Sequence, residues 1–385
     1  MYEIWKEKST FVEVDKSALR PLISMGCGRS SCATLYSSHD GTGDEKVDLR
    51  QRRVRSGGAE FSLVVLLFLA TVAAACSIGP DGRVAASRQG QAKHEEAKRK
   101  AAEAPKPFVL VGAGDIAACS VLAGAEATAK LIEQIPGTVF AAGDLAYERG
   151  TAAEFRDCYG TTWGRFKERT KPTPGNHEYN FGGGAAYFAY WGGAAGTPEK
   201  SYYSFDLGNW HVIALNTNCV APGVGGCGIG SPQEKWLKQD LKEHANSCIA
   251  AFGHHALYSS GVFRSHAVHP ELRDLWRDLY EAHTDLILAG HEHSYERFAP
   301  QDPDGNADEK NGIREIVVGT GGRSHDPLGT ALPNSEVRNF DTYGVLKLTL
   351  WPDRYQWEFI PVNADGFRDS GEGSCHNAAK HPGIR

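Results

Sequence analysis

Short apolar runs alternate with helical segments along the chain after residue 107. Residues 108–111 and 139–142 have the length and composition of buried strands. Residues 122–135 place small and aliphatic side chains on one face at helical spacing. Ser231, followed by Pro232, gives a second helical segment an N-cap and a proline at its first position. Strands that alternate with helices indicate an α/β layered domain.

The same patterns continue to the end of the chain. Further strands are predicted at residues 201–206, 210–215, 249–252, 286–289, 313–318, 344–350 and 355–361, and further helices at residues 151–158, 185–191, 232–244 and 270–282. The last two strands form a hairpin. Apart from the strands predicted there, residues 299–345 are interpreted as loops at the rim of a site.

The chain before residue 108 has a different pattern. Residues 1–55 lack a core pattern and form a doubtful N-terminal extension. Residues 56–76 have the plan of a signal peptide, because arginines precede an apolar stretch that is too short for a comfortable membrane span. Cys76 follows three alanines, so the segment also resembles a bacterial lipoprotein box, although Ala73 stands where leucine is usual. Residues 77–107 are polar and charged, as in a solvated tether.

A signal segment normally begins a protein, so we expect that residues 1 to about 50 are absent from the mature chain. The alternative is an uncleaved signal anchor. The predicted location is extracytoplasmic, either as a secreted protein or as a cell-envelope lipoprotein with a membrane tether through Cys76. The net charge of −6, without a dense basic patch after residue 107, argues against nucleic acid as a partner. The oligomeric state is left open.

The cysteines fit an exported domain. The chain has nine, and an even set falls after residue 107: Cys119, Cys158, Cys219, Cys227, Cys248 and Cys375. In an oxidising compartment such a set predicts disulfides, although the pairing does not follow from the sequence. Cys219 and Cys227 bracket a glycine-rich loop and are the first candidate pair. The alternative is a set of reduced, buried thiols.

Five apolar or extended runs end in a glycine that precedes a side chain able to bind metal. They end in Gly114-Asp115, Gly143-Asp144, Gly175-Asn176, Gly253-His254 and Gly290-His291-Glu292-His293. A single Gly-Asp pair is usually a turn, but in α/β sheets ligands bind beyond the carboxyl ends of strands, and here five ends agree. Oxygen and nitrogen donors without cysteine suit iron, zinc and manganese. There are enough donors for two ions, an arrangement that cleaves phosphate esters.

These motifs resemble those of the calcineurin-like metallophosphoesterases, and within them the purple acid phosphatases. Residues 143–147 are similar to a GDxxY box, residues 175–178 to a GNHE box and residues 290–297 to a GHxHxYER box. Ala117 stands where many members of the superfamily carry a ligating histidine, and Tyr147 would take that role, as in the purple acid phosphatases. The resemblance implies a catalytic domain over residues 108–385, with a β-sandwich of two mixed sheets flanked by helices in four layers, α/β/β/α.

The resemblance also implies two metal ions and their ligands. A ferric ion is expected on Asp115, Tyr147 and His293, a divalent zinc, iron or manganese ion on Asn176, His254 and His291, and Asp144 between the two. His254 is preferred to His255 as the ligand because it directly follows Gly253, and His255 is expected to point to the other face. His177 and His266 are expected on the substrate side. His211, His269 and His283 lie outside the boxes and are assigned structural or surface roles.

The implied function is hydrolysis of phosphate monoesters by attack of a metal-bound hydroxide, with protonated His177 assisting the leaving alkoxide. One alternative is a phosphodiesterase that uses the same site on nucleotides or lipid head groups. Another is a surface protein that binds metal or phosphate without catalysis. A missing ligand would favour the last hypothesis, and none of the predicted ligands is missing from the sequence.

Overall fold

The structure, a computed structural model, describes residues 106–262 and 270–378. All of them fall within one of the two units into which the chain divides, Ser87–Arg385. The N-terminal extension, the signal segment and the tether as far as residue 105 lie outside the described residues, and so do His266 and His269. Among the helices of the described part, none combines the length and apolar character needed to cross a membrane.

The β-strands occur in the order that the apolar runs predict, with additions. They are β1 (Phe108–Ala113), β2 (Ala117–Ala118), β3 (Thr138–Ala142), β4 (Ala146–Tyr147), β5 (Thr170–Thr173), β6 (Tyr203–Leu207), β7 (Trp210–Ala214), β8 (Cys248–Phe252), β9 (Leu286–Ala289), β10 (Tyr295–Phe298), β11 (Arg314–Val318), β12 (Ser335–Asn339), β13 (Gly344–Leu350), β14 (Arg354–Pro361) and β15 (Asp369–Ser374).

These strands form two large mixed sheets. The first has six strands in the order β15-β14-β13-β1-β3-β5, and its β1, β3 and β5 run parallel. The second has seven strands in the order β12-β10-β11-β9-β8-β7-β6, and its β7, β8, β9 and β11 run parallel. The short β2 and β4 pair separately. The carboxyl ends of the parallel strands therefore lie at one edge of each sheet.

Helices connect the strands. They are α1 (Ala123–Gln134), α2 (Ala152–Glu154), α3 (Asn176–Asn180), α4 (Ala185–Trp191), α5 (Pro232–Glu243) and α6 (Leu272–Glu281). α2 continues as a π-helical turn at Phe155–Tyr159, and short 3-10 helices occupy Trp163–Arg169 and Gly192–Ala195. The predicted cap of α5 is present, because the Ser231 side chain accepts a hydrogen bond from the Glu234 amide.

Alternation along β8 explains how the layers pack. Ala250 and Phe252 face the first sheet, where the Phe252 ring lies 5.8 Å from the Phe140 ring of β3. Ile249 and Ala251 belong instead to the cluster that α5 and α6 cover. Strand side chains alternate between faces, so a strand between two apolar layers must be apolar at every position. α1 covers the other side of the first sheet, and the α/β/β/α order that the resemblance implied is confirmed.

Three disulfides lie within the described residues. The predicted pair Cys219–Cys227 is confirmed, with a Cα–Cα distance of 5.1 Å. The other two are Cys119–Cys158 and Cys248–Cys375. Cys248–Cys375 ties the start of β8 in the second sheet to the chain that leaves β15 in the first. It therefore joins the two sheets covalently.

Besides the two-residue β2 and β4, the strands β10, β12 and β15 were not predicted, and the interpretation of the rest of residues 299–345 as loops is wrong at β12. β12 and β15 are edge strands whose side chains are mostly polar and partly exposed, so they lack the apolar pattern that marks a buried strand. β10 is fully buried but carries Glu296 and Arg297, whose charges are satisfied inside the fold. The buried charged side chains of β10 are paired with groups elsewhere in the chain. Hydrophobic periodicity does not detect such pairs, so the strand was not predicted.

Candidate metal centre

The five predicted strand ends meet in one place. Three follow β1, β3 and β5 of the first sheet, and two follow β8 and β9 of the second. Backbone hydrogen bonds join these turns directly. The Gly114 amide donates to Val318 O at the end of β11 over 3.0 Å, the Asp115 amide to Gly143 O over 3.1 Å, and the Gly290 amide to His254 O over 2.9 Å. The centre is thus built where the carboxyl edges of two facing sheets come together.

Three candidate ligands have left-handed backbone conformations. The φ angle is +62° at Asp115, +51° at Asp144 and +71° at His291. Residues with a Cβ atom adopt this region at a cost of about 1–2 kcal/mol each. Such strain persists where the surrounding structure holds it, and it concentrates at functional sites. The shared distortion turns three side chains at the strand ends towards a common point.

Glycines allow the turns to approach closely. A Cβ atom on Gly175 would overlap the carboxylate of Asp144, and one on Gly290 would lie 2.6 Å from Asp115 Oδ2. Neither position tolerates a side chain without moving a candidate ligand. These glycines therefore allow neighbouring turns to pack closely, in addition to allowing the chain to turn.

Asp115, Tyr147 and His293 form the first group of donors. Tyr147 Oη lies 2.7 Å from Asp115 Oδ1 and 3.1 Å from His293 Nε2. His293 Nε2 is 3.3 Å from Asp115 Oδ1. On the outer side of the ring, His293 Nδ1 pairs with Ser324 Oγ at 2.6 Å. With its proton on Nδ1, His293 directs the lone pair of Nε2 into the group.

Asn176, His254 and His291 form the second group. His254 Nε2 lies 3.0 Å from Asn176 Oδ1 and 3.2 Å from His291 Nδ1. His254 Nδ1 lies 2.9 Å from Ala142 O, which can only accept a hydrogen bond. That contact fixes the proton on Nδ1 and leaves the lone pair of Nε2 facing the other donors.

Asp144 lies between the two groups. Its Oδ2 is 3.0 Å from Tyr147 Oη and 3.3 Å from His254 Nε2, while its Oδ1 accepts from the His177 amide over 2.8 Å. The carboxylate thus contacts one member of each group, as a bridging ligand would. The roles of all seven residues as ligands remain predictions, and the structure brings all seven together.

The chemistry of this donor set fits bound cations. Imidazole nitrogens and amide or carboxylate oxygens converge over 3.0–3.3 Å in buried surroundings, and positive charge, carried by a proton or by a metal ion, relieves the repulsion between their lone pairs. Burial alone would raise the pKa of Asp144, but nearby His254 holds it far below its usual range. Burial, together with His254, lowers the pKa of His291 to about 3. The histidine therefore stays neutral and able to ligate.

Tyr147 needs such a cation to ionise. Burial, with the carboxylates of Asp115 and Asp144 beside the phenol, raises its pKa well above the usual value. The protein without metal keeps this phenol protonated. The predicted phenolate therefore depends on the charge of a bound metal, which lowers the pKa of a coordinated oxygen.

One expectation about the neighbouring histidine is wrong. His255 does not point to the other face, because its ring centre lies 4.6 Å from that of His291 and 4.8 Å from that of His254. His254, His255 and His291 together offer nitrogens within 4.8 Å of one another. The Thr217 hydroxyl accepts from the His254 and His255 amides and contacts His255 Nδ1 at 3.0 Å, which turns both rings inward.

Sequence reasoning gave no role to Glu178, which holds together two of the turns that carry candidate ligands. Its buried carboxylate accepts hydrogen bonds from the amides of Asp144, Leu145 and Gly175 over 2.7–2.9 Å. Burial, with Asp144 nearby, raises its pKa to about 7. The only signal in the sequence was its place at the end of the GNHE box. Glu178 fixes two ligand-bearing turns relative to each other.

A second contribution comes from residues 319–326, here called the rim loop, which were expected at the rim of the site but whose side chains were given no role. Ser324 contacts the His293 ring, and the Asp326 amide donates to His293 O over 3.1 Å. The only signal was the glycine-rich stretch that begins the loop. His177, half-buried, places Nε2 3.9 Å from Asp144 Oδ2, and its ring centre lies 4.4 Å from that of Tyr147 with the planes tilted by 54°.

Another cluster of histidines and carboxylates lies apart from the strand ends. His211 Nδ1 is 2.9 Å from Asp206 Oδ1, and His211 Nε2 is 2.8 Å from Asp240 Oδ2. The ring stacks on His244, with centres 3.6 Å apart. His211 therefore has the expected structural role, since it ties β7 to β6 and α5. His283 lies in the turn after α6, outside the centre.

Comparison with known proteins agrees with this architecture. The sequence model of the calcineurin-like phosphoesterases matches residues 92–295, more than half of the chain. The protein therefore belongs to the calcineurin-like phosphoesterase family, and membership implies a binuclear metal site. Within that family it is related to the purple acid phosphatases, at 26–33% identity to the relatives compared.

Human "Acid phosphatase type 7" is 33% identical over 147 aligned residues, covering 33% of this chain and 32% of the relative. "Probable inactive purple acid phosphatase 24" of Arabidopsis thaliana is 26% identical over 248 residues, covering 55% of this chain and 38% of the relative. The yellow lupin purple acid phosphatase structure superposes with a TM-score of 0.56 at 22% identity, over 70% of this chain and 54% of that one. The chain thus spans about a third of the length of these curated relatives, and the structural likeness concerns the fold.

Proposed function

We propose that this protein is an exported phosphomonoesterase of the purple acid phosphatase type. The observation that carries the proposal is the convergence of all seven predicted donors in two groups that share Asp144. Two bound cations would polarise the phosphate and lower the pKa of a water molecule to near neutrality. The donor sets support different ions. Carboxylate and phenol oxygens in the first group suit ferric iron, and the imidazoles of the second suit zinc, iron or manganese in the divalent state.

The remaining residues of the centre have positioning and proton-transfer roles in this proposal. Asp144 holds the two donor groups together, and Glu178 holds the turn on which Asp144 lies. His177 is fixed by its Nδ1 contact with Glu148 O at 2.6 Å and has an exposed fraction of 27%, so it is accessible to a substrate. With Nε2 facing the centre, His177 is suited to donate a proton to a leaving alkoxide. The substrate class in this proposal is a small phosphate ester, not nucleic acid.

The experiment combines metal analysis with two substrates. We expect purified protein to contain about two metal ions per chain and to hydrolyse p-nitrophenyl phosphate faster than bis(p-nitrophenyl) phosphate. Faster cleavage of the diester would favour the phosphodiesterase alternative. Protein that binds two ions and cleaves neither ester would be a metal-binding protein without catalysis, and the proposal would be wrong.

Export is a separate part of the proposal. The three disulfides support an oxidising compartment, because such bonds are rare in the reducing cytosol. We expect the protein in the membrane fraction through a lipid on Cys76. A Cys76→Ser variant should move to the soluble extracytoplasmic fraction, and incorporation of labelled fatty acid should be lost. Labelling that persists in this variant would exclude Cys76 as the anchor.

A further inference from the structure

Arg323 is held beside the metal centre by its own backbone and by its neighbours in the rim loop. The Arg323 amide donates to Asp115 O over 3.0 Å. The next residue, Ser324, contacts His293 Nδ1 at 2.6 Å, and the Asp326 amide donates to His293 O. The loop is therefore attached on both sides to donors of the first group. These backbone hydrogen bonds hold Arg323 next to the first donor group.

The side chain of Arg323 extends to the third donor of that group. Its Cζ atom lies 5.2 Å from the centre of the Tyr147 ring, and its Nη2 pairs with the carboxylate of Glu148. The His177 ring contacts the same tyrosine ring. The guanidinium therefore places a positive charge over the ring of Tyr147, which is a predicted ligand of the first metal ion.

The hydrogen bonds of this guanidinium are incomplete. Its Nε is buried and has no acceptor within the part of the chain that the structure describes. Glu148 is about half exposed, so the ion pair is shielded from solvent on one side only. A partly exposed ion pair contributes little to stability. Stability alone therefore does not explain an arginine held in this position with a donor left over.

We propose that Arg323 binds the phosphate group of the substrate and favours monoesters over diesters. The inference rests on the proposed function, whose substrate preference it explains. A monoester phosphate carries up to two negative charges and three oxygens that a planar guanidinium can contact, whereas a diester carries one charge and one oxygen fewer. The Arg323 backbone, through its hydrogen bond to Asp115, keeps the arginine in place, and the negative charge of Glu148 opposes that of the phosphate.

A rival explanation is that the Arg323–Glu148 pair only braces the loop. Two variants separate the explanations, because each breaks the same pair from a different side. Arg323→Ala removes the cation, while Glu148→Gln keeps the cation and removes the opposing negative charge. A brace loses its function in both variants. A phosphate-binding arginine loses function only when the arginine itself is removed.

The test measures kcat and KM for p-nitrophenyl phosphate and bis(p-nitrophenyl) phosphate, and inhibition by inorganic phosphate, in protein with both ions bound. We expect Arg323→Ala to lower kcat/KM for the monoester roughly ten- to a hundredfold and to weaken phosphate inhibition similarly, with a smaller loss for the diester. Arg323→Lys should recover part of the loss. Glu148→Gln should leave phosphate inhibition unchanged or strengthen it about two- to fivefold.

The matched control is Arg354→Ala. Arg354 forms an ion pair with Asp353 in the hairpin between β13 and β14, at the opposite end of β1 from Asp115. Its removal should change none of these constants. Equal losses for Arg323→Ala and Glu148→Gln, or equal losses for both esters, would overturn the proposal. So would full activity of Arg323→Ala.

Failure of the proposed function gives a different result. If the wild type binds two ions and hydrolyses neither ester, inorganic phosphate still tests Arg323 as a binding residue by calorimetric titration. Weaker phosphate binding in Arg323→Ala, but not in Glu148→Gln, would support its role without catalysis. Equal phosphate affinity in wild type and Arg323→Ala would refute it.

Discussion

The strand-end centre and the His211 cluster contain the same residue types and differ in how each histidine uses its second nitrogen. In the centre, His254 Nδ1 contacts a backbone carbonyl and His293 Nδ1 contacts a hydroxyl, so only the inner Nε2 of each ring faces a carboxylate. Burial alone would lower the pKa of both rings, but Asp144 and Asp115 raise it, and a bound metal ion would take the place of the proton on Nε2. His211 instead has a carboxylate on each nitrogen, at 2.8 and 2.9 Å. It is therefore protonated on both nitrogens and serves as the cation of its own cluster.

This difference explains why one cluster is suited to bind metal and the other to hold the fold. Asp206, His211 and His244 are close enough for a metal, since each offers a ligand atom within 4.8 Å of the others. Proximity is thus insufficient to define a metal site. A neutral acceptor on the outer nitrogen frees the inner lone pair, whereas a second carboxylate stabilises a proton there. The backbone also differs, because left-handed φ angles at Asp115 and Asp144 turn those carboxylates inward.

The largest expected effect is that of Asp144→Asn. This change removes the charge that contacts both donor groups, so we expect activity to fall on the order of a thousandfold or more. Metal analysis and p-nitrophenyl phosphate turnover measure the effect. Near wild-type turnover with both ions bound would contradict the bridging role of Asp144.

Tyr147→Phe tests the first donor group on its own. If Tyr147 binds ferric iron as phenolate, the iron-loaded protein has a visible charge-transfer band that the variant loses. Absorption spectra of both proteins at equal iron content measure this. A colourless, fully active iron-loaded wild type would argue against ligation by Tyr147.

Ser324→Ala tests the role of His293 Nδ1, the ring nitrogen that faces away from the centre. Loss of the partner of His293 Nδ1 leaves the tautomer and ring orientation less defined, so metal affinity should fall about ten- to a hundredfold. Competition with a chelator measures the affinity. The effect should be absent from Ser335→Ala, whose hydroxyl contacts Glu296 on β10 instead of a candidate ligand. Equal losses in the two variants would indicate a general structural effect.

Asp240→Asn tests the second cluster. The change takes one carboxylate from buried His211, and we expect the free energy of unfolding to fall by about 1–3 kcal/mol while metal content and turnover stay unchanged. Chemical denaturation and metal analysis measure these quantities. Loss of a bound ion in this variant would contradict the assignment of a purely structural role to the His211 cluster.

The smallest effect is a dependence of stability on pH that requires His211. Burial alone would lower its pKa, but the hydrogen bonds that His211 donates to Asp240 and Asp206 raise it above the ordinary value. The resulting stabilisation is complete below the unfolded pKa of about 6.5 and is lost as the pH rises through the higher folded value. Unfolding measured across this range should show the loss in the wild type and a weaker loss in His211→Gln. Identical pH profiles would exclude the effect.

Much of the fold was predictable because buried strands and capped helices leave local patterns. Runs such as those of β3 and β9 are apolar throughout because layers cover both faces. The Cys219–Cys227 pair was predictable because only a short loop separates the two residues. β10 and β12 were not predictable from periodicity, since β10 carries two buried charged residues between its apolar ones, and β12 is a partly exposed edge strand that pairs with a single neighbour.

The sequence by itself determined which side chains end the strands, because each donor follows a glycine in a short motif. It also determined His254 over His255 as the first candidate ligand. Only the tertiary structure decided that the ends belong to two facing sheets, that His255 turns towards His291, and that the rim loop brings Ser324 and Arg323 to the first donor group. These contacts join residues far apart in the chain, such as Asp115 and Arg323, and their formation depends on how the sheets pack. Local patterns record only the conformation and burial of each segment.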